Sequence, residues 1–233
     1  MDFGKEIVSL LSHLKSYVGQ NFDELSEKFR ITTTAKSKNA ILAKKLIDSY
    51  KGSVFGEALL KHESIKFKTI QVNARGIPNE SMSFPVIDFS SLVKESWGNS
   101  TLREQLSKSF LLFVFKEDAI RKVFFWDAFL WRLPKETLDS EVKDTWEKTK
   151  EILLSGNVVS RIENDGKIVL NFPREKQTTV CHVRPHGRNG MDSVNIPKRD
   201  ISTNFICLPK QSFWLNKKYL TQIIRNHMEG EHD

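Results

Sequence analysis

Six consecutive residues, Phe110 to Phe115 (FLLFVF), are all apolar, and three of them are phenylalanine. A chain with such a run must bury it on both sides, because alternate side chains of a strand point to opposite faces of a sheet. The run is far shorter than the roughly 20 residues that cross a membrane. It also lacks the three-to-four-residue spacing of a surface helix. It therefore predicts a buried central strand. The residues before and after supply neighbours. SIKFKTIQV (Ser64 to Val72) carries β-branched residues in partial alternation, and KVFFWDAFLWRLP gives another strand and an edge, ended by Pro134.

Helical patterns surround these strands. From Phe3 to Val18, apolar residues fall at helical spacing (Ile7, Leu10, Leu11, Leu14, Val18) and Gly19 ends the run. FDELSEKF reads as a second short helix, and AILAKKLIDSY, closed by Gly52, as a third after the polar stretch TTTAKSKN. Three helices with a polar connection fit either a helix-turn-helix or an ordinary helical cap, of which the cap is the commoner arrangement. Asp139 to Leu154 forms a further helix, with Val142, Trp146, Ile152 and Leu153 apolar and Gly156 just beyond it. The last third reads as short strands (KIVLNF, VCHVRP, FICLP, SFWLN) and a closing helix, LNKKYLTQIIRNHM. This order predicts an α/β (α+β) fold around a mixed sheet flanked by helices. The expected organisation is a single domain, 1–233, with a helical cap subdomain at 1–52 and a sheet core with recognition loops at 53–233.

The chain has 36 Lys and Arg against 29 Asp and Glu, a formal charge of +7. That excess favours a polyanionic partner, because phosphate contacts release counterions. The two cysteines, Cys181 and Cys207, each lie in an apolar strand-like run and form no C-x-x-C pair, which fits a reducing compartment. The N-terminus carries Asp2 and Glu6 and no small-residue cleavage site, so no signal peptide is read and a cytoplasmic protein without membrane partners is expected.

Two stretches carry recognition chemistry. In VCHVRPHGRNGMDSVNIPKRD a strand runs into a loop bearing Arg184, His186, Arg188 and Asn189. Arginine bridges guanine O6 and N7, and asparagine does the same on adenine. In LPKQSFWLNKKYL an aromatic, Trp214, sits among Lys210, Gln211, Asn216, Lys217 and Lys218. Such mixtures contact base edges while flanking lysines neutralise phosphates. Taken alone, each stretch also fits a solvated basic surface. His182 and His186 are four residues apart, but the proline and arginine between them preclude a helix, and no third ligand is near, so no metal site is expected. Phosphate-binding glycine loops are absent from the sequence.

These stretches, in this order, resemble the MutH/Sau-type restriction endonucleases. The segments SIKFKTIQVNARGIPNESMSF, LREQLSKSFLLFVF, TWEKTKEILLSGNVVSRI, VCHVRPHGRNG and LPKQSFWLNKKYL carry the likeness, which covers nearly the whole chain. It is strongest to the C-terminal, allosteric DNA-binding half of two-domain, GATC-cutting type II restriction enzymes. The resemblance implies a PD-(D/E)xK-type fold gripping duplex DNA in a cleft. Arg184, His186, Arg188 and Asn189 become base-contact candidates. Trp214 would approach the adenine region, with Lys210, Gln211 and Lys217 near the backbone.

The catalytic strand departs from the family pattern. An acid-x-Lys triplet, preceded seven residues earlier by aspartate, supplies the two carboxylates that hold Mg²⁺. Here the acid position holds Lys66 and the aspartate position holds Leu59, while the lysine survives as Lys68. The expectation is a catalytically degenerate domain that binds double-stranded DNA, needs no cofactor of its own, and acts as the effector of a nuclease domain or subunit in restriction-modification. The alternative is an active Mg²⁺-dependent GATC endonuclease with carboxylates relocated to Glu57 or Glu63.

Overall fold

The computed structural model describes residues 3–33, 37–162, 168–187, 192–195 and 207–230. The chain begins with helices α1 (Phe3–Leu14), α2 (Phe22–Lys28), α3 (Lys38–Lys51) and α4 (Ser53–Leu60), then strands β1 (Ile65–Val72) and β2 (Met82–Val86). Two short helices, α5 (Phe89–Leu92) and α6 (Thr101–Leu106), precede β3 (Ser109–Glu117) and β4 (Val123–Arg132). A short α7 (Lys135–Thr137) continues through a wider turn, Leu138–Val142, into α8 (Lys143–Leu154). Strands β5 (Ser160–Ile162), β6 (Ile168–Leu170), β7 (Cys181–Pro185), β8 (Ser193–Asn195), β9 (Cys207–Pro209) and β10 (Gln211–Leu215) follow, and α9 (Lys217–Glu229) closes the described chain.

These elements form two compact units. The first comprises Met1–Glu80 and Lys108–Arg132, the second Ser81–Ser107 and Leu133–Asp233. The N-terminal helices and β1 thus share a unit with β3 and β4.

In the first unit the sheet order is β1-β3-β4, with β1 parallel to β3 and β3 antiparallel to β4. The all-apolar run lies in the central strand, as expected, and Phe110 through Phe115 are fully buried. Leu111, Phe113 and Phe115 pack with Ile7, Leu10, Leu14, Leu42, Leu46 and Leu59 from the helices. Phe113 is the hub, with ring centroids 5.3 Å from Phe67 and 5.9 Å from Phe125. The polar connection before α3 leads into a helix whose Leu42, Ala43, Leu46 and Ile47 are all buried. That face supports the sheet, as a cap does.

Helix α4 was not expected from the sequence. SVFGEALL is short, contains Gly56 and has little helical contrast, so propensity alone is weak there. Gly52, at φ +82°, ends α3 and lets α4 start at the next residue. Packing of Phe55 and Leu59 into the core supplies what propensity lacks.

The second unit holds an antiparallel sheet, β2-β10-β7, and two-stranded hairpins β5-β6 and β8-β9. Strand β2 was not expected from the sequence, and it carries Pro85. Proline is tolerated there since β2 pairs on one side only. Among the described residues no helix is long and apolar enough to cross a membrane.

The packing makes the core testable. Phe113→Ala removes a fully buried ring and is expected to cost about 3–5 kcal/mol. Urea unfolding followed by circular dichroism measures it, and a loss below about 1 kcal/mol would contradict the hub role.

Candidate nucleic-acid interface

Strand β10 is the centre of the second unit's sheet, and its pairing with β7 places the recognition residues. The register sets Ser212 opposite Arg184, Phe213 opposite Val183, and Trp214 opposite His182. Strand alternation then puts His182, Arg184, Ser212 and Trp214 on one face. Cys181, Val183, Phe213 and Leu215 take the other face, and all four are buried.

A stack results at the open end of this face. The Arg184 guanidinium lies over the Trp214 ring, 4.4 Å from its centroid. The His186 ring approaches the same indole, with centroids 5.1 Å apart, and its Nδ1 shares a 2.6 Å hydrogen bond with Ser212 Oγ. Arg184 and His186 are exposed, whereas Trp214 is only 8% exposed. The indole is therefore a platform beneath two accessible donors. A guanidinium held over an aromatic face keeps its planar fork of N–H groups for a ligand.

Below the stack lies a buried polar chain. Asn216 donates through Nδ2 to Thr178 O and Thr178 Oγ1, which leaves its Oδ1 as acceptor. His182 Nδ1 donates to that oxygen at 2.6 Å, so the imidazole carries its proton on Nδ1. His182 Nε2 and Trp214 Nε1 are both buried, with no hydrogen-bond partner among the described residues. Burial holds the His182 imidazole below its ordinary 6.5, opposed by the Asn216 bond and by Glu175, so it is neutral under the stack. Glu175 also accepts from the Lys217 backbone N–H at 3.0 Å, satisfying a donor in the first turn of α9.

The other candidates are distributed unevenly. Lys210 pairs with Asp192 at 2.6 Å. Gln211 is buried and donates to Pro209 O at 3.1 Å. Lys217 is half-buried at the start of α9. Arg188 and Asn189 lie outside the described residues. Sequence reading passed over His182 and Ser212 as parts of the site, and named Asn216 only among the polar neighbours of Trp214. Their signal is the period-two alternation of CHVRPH and QSFWLN once the two strands are paired.

The first unit presents a different chemistry. Ile65 and Phe67 face the helical core, so alternation sends Lys66 and Lys68 to the opposite face of β1. Burial, followed by the charge of Lys66, holds the Lys68 ammonium below the usual lysine value. Leu59 is 1% exposed and belongs to the hydrophobic core. These residues do not fit a divalent metal: a core leucine offers no ligand, and an ammonium repels the ion. Glu57 is 60% exposed on α4 and sits 3.6 Å from Lys61, and Glu63 is exposed in the turn before β1. Among the described residues no group of three or more His, Cys, Asp or Glu is arranged to hold a metal ion.

The buried histidine has a measurable consequence. An unfolded chain takes up a proton on this residue as pH falls below about 6.5, while the folded chain resists it. Its contribution to stability is therefore complete above that value and declines as pH drops. Urea midpoints at about pH 7.5 and about pH 5.5 are expected to differ more for the native chain than for His182→Gln. An equal pH dependence in both would rule out a buried neutral imidazole.

The MutH family model, described as the DNA mismatch repair enzyme MutH, matches residues 55–144. The chain is 28% identical to the type II restriction enzyme Sau3AI of Staphylococcus aureus over 90% of its own length, and spans 49% of that enzyme. It is 24% identical to the DNA mismatch repair protein MutH of Pasteurella multocida, over 95% of this chain and 96% of that protein. With MutH of Haemophilus influenzae strain PittEE the identity is 22%, over 94% and 95% of the two chains. The matched segment spans β1, β3 and the lysine pair, and together with the mixed sheet flanked by helices it makes the chain similar to the MutH/Sau-type restriction endonucleases.

Proposed function

We propose that this chain binds double-stranded DNA at a GATC-type sequence without cutting it, and serves as the effector of a separate nuclease domain or subunit of a restriction system. One observation carries the reading. Where the family pattern needs two carboxylates, this chain has Leu59 in the hydrophobic core and a half-buried Lys66 on the face of β1 opposite Ile65 and Phe67. In this reading Lys66, beside Lys68, meets phosphate on the strand that would otherwise hold a metal. Affinity comes from such contacts, which orient the protein but carry no sequence information.

Readout falls to the exposed end of the β7–β10 pair. Arg184 and His186 take the base edges, with Trp214 as their platform rather than as a direct contact. Arg188 and Asn189 follow in sequence as further candidates, and Lys210, Gln211 and Lys217 lie on or beside β10 and the start of α9. In this reading the domain requires no metal for binding.

The test is a gel shift on a GATC duplex and a scrambled duplex, with Mg²⁺ added afterwards. Selective binding with no cleavage is expected. Mg²⁺-dependent cutting that disappears in Glu57→Ala or Glu63→Ala would replace this reading with an active nuclease. Arg184→Ala should lose about 1–3 kcal/mol of discrimination between the two duplexes, the worth of one bidentate base contact. Unchanged discrimination would remove Arg184 from the readout. Lys66→Ala should weaken both duplexes alike and lower the salt slope by about one. A loss confined to the GATC duplex would instead make Lys66 a base reader.

A further inference from the structure

The first unit contains a pocket that the DNA reading leaves unused. It has a volume of about 320 Å³ and is lined by Ala74, Lys116, Asp118, Ala119, Phe124 and Trp126, with Gly19 and Phe125 at its side. Two turns frame it, and each is pinned by a side chain. In the turn after β1, Asn73 Oδ1 accepts from the N–H groups of Arg75 and Ile77. In the β3–β4 turn, Asp118 Oδ1 accepts from the N–H groups of Ile120 and Lys122, and Arg121 takes a left-handed conformation at φ 64°. Gly76, at φ +77°, brings the first turn against the Trp126 ring, where even a Cβ would reach contact distance at 3.5 Å. The pocket is therefore built before any ligand arrives.

Its rim combines two features that rarely coincide on a solvated surface. Ile77 and Ile120 are exposed on the two turns, Ile120 at 73%. Arg75, Arg121 and Lys122 are exposed beside them, and Lys116 lies 4.3 Å from the Trp126 centroid. None of these four cations forms an ion pair among the described residues. Two carboxylates lie on the same hairpin, Asp118 bonded to its own turn and Glu117 to Gln71 at 3.3 Å, so the four cations outnumber them two to one.

We propose that this pocket is a docking site for an acidic peptide segment of a partner protein, which inserts one large apolar or aromatic side chain between the two turns and sets its carboxylates against Arg75, Lys116, Arg121 and Lys122. The charge of the rim selects an anionic partner. The isoleucines decide between the two kinds of anion, since phosphate contacts are made by polar donors, whereas a protein anchor gains by covering apolar surface. All the residues involved belong to the first unit, and none belongs to the β7–β10 pair.

The experiment measures fluorescence anisotropy of a labelled peptide of Asp and Glu carrying one central Phe, and of the same peptide with Ala in its place. The Phe peptide is expected to bind at least about tenfold more tightly, the worth of burying one such ring. Ile120→Glu, a change at an exposed turn, should abolish that difference, and Lys122→Glu should weaken both peptides. Binding to the GATC duplex should be unchanged by Ile120→Glu, which separates this site from the DNA interface. Equal binding of the two peptides would overturn the proposal. So would a single-stranded oligothymidine that displaces the Phe peptide and is insensitive to Ile120→Glu, since it would assign the pocket to nucleic acid.

Discussion

A β-strand offers its side chains to two faces in strict alternation, and a slip of one residue exchanges every side chain between them. Both chemically active regions of this chain depend on that constraint. In the β7–β10 pair, Cys181, Val183, Phe213 and Leu215, apolar and buried, share one face. His182, Arg184, Ser212 and Trp214 occupy the other face as a consequence. In β1, Ile65 and Phe67 are drawn into the helical core, which commits Lys66 and Lys68 to the opposite side. The functional groups are thus positioned by apolar residues that never meet a ligand.

The stack on β10 shows how burial and charge cooperate. A free arginine carries about 2 kcal/mol of rotamer entropy. Resting the Arg184 guanidinium on the Trp214 ring removes part of that freedom before a ligand binds. The indole itself sits on the central strand, bonded to neighbours on both sides. Directly across from it, His182 stays neutral because it is buried, and the proximity of Arg184 pushes in the same direction. An imidazolium there would repel the guanidinium it helps support. Asn216 and Thr178 hold the neutral tautomer, so the polar residues beneath the stack act as a positioning layer.

How much of this was legible in the sequence varied with how far each feature depends on its neighbours. The central strand was readable because six apolar residues in succession leave few alternatives. Glycines 19 and 52 marked helix ends correctly, both at positive φ. Helix α4 and strand β2 were not readable, because SVFGEALL and MSFPV have weak local preferences and gain their conformation from packing and from an edge position. The site divided in the same way. Arg184 and His186 stood out by residue type and are exposed. Trp214 also stood out, but its burial beneath them depends on pairing between strands some thirty residues apart, which no local pattern encodes. His182 and Ser212 were visible only as parts of strands for the same reason.

Lys66 changes the electrostatics of its strand. A site built from two carboxylates and a lysine carries net negative charge, and it attracts phosphate only once a divalent cation has bound. Under the proposed reading, Lys66 and the buried Leu59 in place of two carboxylates reverse that sign, and the lysine face would draw phosphate without a metal. Burial beside a like charge destabilises the Lys68 ammonium in the free protein. A phosphate oxygen brought to this face would relieve that repulsion, so under the proposed reading the strand favours the anion that a metal would otherwise recruit.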